Sequence, residues 1–170
     1  MKKLIFILAV ILNNISVAQV ITEEAQLDML MASSIQTYKH VNFDSLVTVT
    51  INKINQFRVK NNLNALQIDT KLNAYSKAWS DKCLISPIKH SDIAVNGIKA
   101  ENIHFATAFG AWMFGKDLFY SIPDEVITGW KNSAGHNKNM LTSNVTKIGL
   151  SISTYFDGND YKLVSVMVIQ

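Results

Sequence analysis

Two histidines, His90 and His136, flank a carboxylate, Glu101. Neutral imidazole is the form that accepts a proton or binds a metal. All three residues are expected in loops or at element ends, where functional side chains concentrate. The stretch around His136 is the most informative. Glu125, Val126, Ile127 and Trp130 recur at helical spacing, so Trp130 belongs to the apolar face of a helix. Ser133-Ala134-Gly135 should break that helix, with Gly135 supplying the positive φ. His136 to Leu141 then has room for one more short turn. An imidazole beside a helix N-terminus is biased towards its neutral form. The plainer alternative is that His136 only caps or packs. Ser91 and Ser133 lie beside the histidines, so a Ser/His hydrolase is conceivable, although neither serine stands on a nucleophile elbow. His-Glu-x-x-His, Gly-x-Ser-x-Gly, phosphate-loop and paired-cysteine motifs are all missing.

The elements that must position these groups can be read in part. Phe43 to Asn62 is expected to be a helix, with Val47, Ile51, Ile54 and Phe57 on one face. Val47, Val49 and Ile51 also alternate as a strand would, so local propensity argues against it. Asp69 or Thr70 should cap a second helix carrying an apolar stripe of Leu72, Tyr75, Ala78, Trp79 and Cys83, which Pro87 prevents from continuing. His90-Ser91-Asp92 falls in irregular chain. Phe105 to Tyr120 holds eight large apolar side chains, Trp112 and Phe114 among them, and reads either as a lid that completes the core or as an apolar ligand site. Pro123 should open the third helix. Residues 148–155 alternate apolar with small or polar side chains, and Asp157-Gly158-Asn159-Asp160 is a turn. Leu163 to Ile169 is apolar on both faces and needs cover on both sides. Helices followed by such a hairpin imply an α+β fold, a sheet between helix layers. Trp79, Trp130 and Val166 are expected in its core.

Composition sets the context. Lys2 and Lys3 precede an apolar run, Leu4 to Leu12, too short to span a bilayer. Ser16-Val17-Ala18 supplies the small residues of a cleavage site, so residues 1–18 read as a signal peptide and the protein as secreted or periplasmic. Residues 19–42 form an N-terminal linker or helix, and 43–170 the domain. Removing residues 1–18 takes two of the 16 basic residues and none of the 13 acidic ones, so the net charge falls from +3 to +1. That gives no argument for nucleic acid or an anionic membrane as partner. No later segment is apolar enough to anchor the chain. Cys83 is the only cysteine, so the exported domain holds no internal disulfide. It reads as a small buried hydrophobe rather than a reactive thiol.

From about Thr50 to Gln170 the chain resembles the CAP superfamily (cysteine-rich secretory proteins, antigen 5, pathogenesis-related 1; the SCP domain), in its cysteine-poor bacterial branch. The residues that carry the resemblance are Asn55-Gln56-Phe57-Arg58, Leu66 with Asp69 and Leu72, Ala78, His90-Ser91, Glu101-Asn102-Ile103, Trp130-x-x-Ser133-x-Gly135-His136-x-x-Asn139-x-Leu141 and Ile148-Gly149. The resemblance implies an α-β-α sandwich with a small, mainly antiparallel sheet. It also implies a cleft where two histidines and two acidic residues can hold a divalent metal, often zinc. His90, Ser91, Glu101, Ser133 and His136 are the cleft residues this implies. Ser133 stands where many relatives place the second acidic residue, Glu125 is not the matching position, and Ala100 replaces a glycine. With those departures the resemblance implies weak zinc binding through His90 and His136, with Glu101 orienting one imidazole. The family's functions include lipid or sterol binding, signalling and defence, and debated protease activity. The expected function is an extracytoplasmic binding module for an apolar molecule, a peptide or a cell-envelope component, with Trp112 and Phe114 against an apolar ligand. The alternative is a metal-assisted hydrolase using His90, Glu101 and His136.

Overall fold

The computed structural model describes residues 42–109, 117–156 and 160–170. Residues 1–41, residues 110–116, which include Trp112 and Phe114, and residues 157–159 lie outside the described residues. Helix α1 spans Phe43–Lys60 and is capped by the Asn42 side chain, which accepts from Ser45 N at 3.0 Å. Its buried stripe is Leu46, Thr50, Ile51, Ile54 and Arg58. Burial of that stripe overrides the strand-like alternation, and Val49 is left 42% exposed. Thr50 is tolerated inside because its hydroxyl donates to the Leu46 carbonyl at 2.8 Å.

A two-residue strand β1, Gln67–Ile68, leads into α2, Thr70–Ile85. Asp69 is the N-cap, accepting from the amides of Lys71 and Leu72. The buried face of α2 is Leu72, Ser76, Ser80 and Cys83. This corrects the expected stripe: Ala78 is exposed, Trp79 is only half-buried, and two serines point inward. The reason is a close approach to the sheet. A Cβ on Gly149 would lie 2.2 Å from the Leu72 carbonyl carbon, so the helix backbone rests directly on the strand. Only short side chains fit along that seam. Ser80 Oγ bonds to Ser153 Oγ at 2.7 Å and to Ser151 Oγ at 2.9 Å, which satisfies all three hydroxyls. The Cys83 thiol is buried, as read from the sequence.

After a 3₁₀ turn, Ile93–Asn96, comes strand β2, Ala100–Phe109. Helices α3, Asp117–Asn132, and α4, Ala134–Met140, precede the hairpin of β3, Lys147–Phe156, and β4, Asp160–Ile169. Phe105 to Phe109 are therefore strand, not the start of an inserted lid; ladder pairing to β4 claims them. Pro123 lies inside α3 instead of opening it. Gly135 is helical, and the break falls at Ser133, whose extended backbone (φ −98°, ψ 118°) separates α3 from α4.

The sheet order is β1-β3-β4-β2, antiparallel except for the short β1–β3 pair. The fold is an α-β-α sandwich. Strand β4 alternates between two cores. Leu163, Met167 and Ile169 face α1, α3 and α4 with Leu46, Ile51, Ile54, Val126, Trp130 and Met140. Val164, Val166 and Val168 face α2 with Leu72 and Cys83.

Candidate functional site

Glu101 is the second residue of the edge strand β2, and its side chain is 1% exposed. A buried carboxylate needs donors, and the His90-Ser91 segment supplies them. Oε1 accepts from His90 Nδ1 at 2.7 Å and from the Ser91 amide at 3.0 Å. Oε2 accepts a short hydrogen bond from Ser91 Oγ. With the proton on Nδ1, assigned from this bond, neutral His90 presents the Nε2 lone pair outward. The His90 side chain is 65% exposed.

Alternation along β2 turns the next side chain, Asn102, to the opposite face of the sheet. Asn102 is fully buried. Its Nδ2 donates to the His136 carbonyl at 2.9 Å, and its Oδ1 accepts from Asn139 Nδ2 at 2.9 Å. Asn139 Nδ2 also donates to the Glu101 carbonyl at 3.0 Å. The Glu101-Asn102 dipeptide thus fastens the His90 segment on one side and α4 on the other. Arg58 holds the far end of α4: its Nη1 donates to the carbonyls of Met140 at 2.8 Å and Thr142 at 2.9 Å, its Nε to that of Asn64 at 3.0 Å. Burial pushes the pKa of this guanidinium down.

His136 is half-buried in the first turn of α4. Its pKa is lowered, first by burial and then by electrostatic coupling to the nearby His90 and His104. The neutral imidazole expected from the sequence therefore has burial as its main cause. Ser133 is half-buried at the N-cap of α4, and its side chain makes no capping bond.

His104 is a site neighbour that the sequence reading misses. It follows Asn102 by two residues, so it shares that face of β2. Its ring lies against Gly129 of α3, where an added Cβ would be 3.2 Å from Nδ1. Nε2 is 3.5 Å from Glu125 Oε1 without a hydrogen bond. The signal that could have found it is the period-two alternation of β2, a strand that the sequence reading does not recognise. Asn139 and Arg58 enter that reading only as motif residues, without a positioning role.

Zinc centres carry three or four protein ligands. Among the described residues no group of three or more His, Cys, Asp and Glu is arranged to hold a metal. Both oxygens of Glu101 are engaged, and Ser133 offers only a hydroxyl. The described residues do not make a resident zinc centre; His90 and His136 are what they offer a metal.

Helices on both faces of a four-stranded sheet, with a histidine paired to a carboxylate of its edge strand, define the class as an α-β-α sandwich. Residues 51–169 match the model of the cysteine-rich secretory protein family, CAP, and the chain belongs to that family. No curated protein sequence matches it. Among solved structures it is similar to an outer surface protein from Borrelia burgdorferi, with a TM-score of 0.55, 19% identity, and coverage of 76% of this chain and 96% of that one. It is also similar to BmVAL-1 (TM-score 0.56, 16% identity, 74% and 76% coverage). A third similar structure is MpPR-1i (TM-score 0.55, 16% identity, 77% and 90% coverage). At these identities the likeness is one of fold. No helix among the described residues is long and apolar enough to cross a membrane.

Proposed function

We propose that this protein is an exported CAP-domain binding module, secreted or periplasmic, whose His90–Glu101–His136 cleft takes a ligand without turning it over. The observation that carries the reading is the state of Glu101. It is sealed from solvent and accepts from three donors through both oxygens. A general base needs a lone pair within reach of the proton it abstracts. Glu101 acts instead on His90, fixing its tautomer and ring orientation, as a carboxylate behind a binding imidazole does. The ligand is an apolar molecule, a peptide or an envelope component, with Trp112 and Phe114 as its apolar contacts. Two neutral imidazoles also suit weak, exchangeable zinc, with water in the remaining positions.

Zinc titration calorimetry on wild type and His90→Ala, run beside turnover assays on peptide and ester substrates, tests this. Weak zinc uptake is expected, diminishing as the pH falls and protons compete for the imidazoles, and lost in His90→Ala. Equal affinity in both proteins would remove the metal. Turnover that His136→Ala abolishes while the fold is kept would replace the binding reading with the hydrolase one.

A further inference from the structure

A cavity of about 360 Å³ opens at the N-terminal end of α2 and shares no residue with the histidine cleft. It falls at the small end of the ~300–1,000 Å³ range of ligand pockets. Leu72 and Ile98, both buried core residues, supply its apolar surface. Part of its polar lining is engaged by other side chains and backbone, and part is not. Lys71 and Tyr75 sit one turn apart on α2, and neither the Lys71 ammonium nor the Tyr75 hydroxyl has a partner among the described residues. The Asn96 carboxamide is equally free, while its carbonyl accepts from Gln170 Nε2 at 3.1 Å. The one carboxylate in the lining, Asp69, is committed. Oδ1 accepts from the amides of Lys71 and Leu72, and Oδ2 lies 3.1 Å from Lys147 Nζ. Lys71 is thus the cation left without a counter-charge, beside two neutral donors and an apolar surface.

We propose that this cavity binds a small organic carboxylate with a short aliphatic chain. The carboxylate takes the Lys71 ammonium, the Tyr75 hydroxyl and the Asn96 amide, and the chain lies on Leu72 and Ile98. Phosphate shares the charge but gains nothing from the apolar surface, so the two anions are distinguishable.

The test is an amide-resolved NMR titration of the intact protein with sodium hexanoate and, separately, sodium phosphate, at ionic strength held constant with chloride. Saturable hexanoate shifts are expected at residues 71–75 and 96–98. Lys71→Ala should weaken hexanoate about tenfold, the loss of one charge-assisted hydrogen bond, and Tyr75→Phe should weaken it less. Neither side chain has a partner among the described residues, so both variants should fold as wild type. His90→Ala should bind hexanoate unchanged, which separates this site from the cleft. Shifts that never saturate, shifts equal in Lys71→Ala, or saturation by phosphate but not by hexanoate would each overturn the proposal.

Discussion

Glu101 shows how one side chain can order a site without facing the solvent. Its three donors come from two consecutive residues, His90 and Ser91, so the carboxylate folds a segment that has no regular structure of its own. Glu101→Gln keeps the shape but removes the charge that strengthens these bonds. It should lower stability by about 1.5–3 kcal/mol, the worth of a hydrogen bond to a charged group, and a urea denaturation series on the two proteins measures it. His136 carries a second expectation at the same scale. Its folded-state pKa lies below the unfolded value, because burial and then electrostatic coupling to the nearby His90 and His104 disfavour the imidazolium. The unfolded chain therefore binds more protons between the folded pKa and about 6.5, and stability rises with pH across that window and levels off above it. His136→Gln should lose that slope. A slope kept unchanged in the variant would assign it to another group.

At the scale of elements, two glycines in family motifs do opposite things. Gly149 is where α2 touches the sheet, backbone on backbone. Gly149→Ala must drive the helix off β3 and break the serine seam below it, so a loss of at least ~3 kcal/mol is expected, the upper end of overpacking costs. Gly135 is helical, and nothing lies within 4 Å of where its Cβ would stand. Gly135→Ala should stabilise by about 0.5–1 kcal/mol through helix propensity. Thermal melts of the two variants moving in opposite directions would check both. Gly135 is legible in the sequence as part of a motif, yet its conformation is not, because Ser133 takes the extended backbone that ends α3. Strand β2 is hidden for a related reason. Its edge position leaves Phe105 exposed, so its pattern resembles an apolar loop until the pairing with β4 is known. The partners that decide both elements are distant in sequence.

Across the whole molecule, β4 is the strand on which both layers depend, and it is the most legible part of the fold. A run from Leu163 to Ile169 with one polar residue can be stable only if covered on both faces, and both are covered. Which helix covers which face is not written in the sequence. That follows from the smallness of the side chains on the α2 seam, where Ser76 and Ser80 look like surface residues. The histidine and glutamate residues are visible as types, whereas the Asn102–Asn139 bonds that join the two walls need the register of β2. Val166 tests the two-layer arrangement directly. It is fully buried against α2. Val166→Asp puts a carboxylate into the apolar cluster of Val164, Val168 and Leu72. The cost should be several kcal/mol, a large share of the ~5–15 kcal/mol that holds a domain folded. Ile85→Lys, at a side chain 82% exposed on the last turn of α2, is the matched control and should stay within about 0.5 kcal/mol of wild type. Differential scanning calorimetry of the pair decides it: a melting temperature unchanged in Val166→Asp would mean that α2 does not cover this face of the sheet.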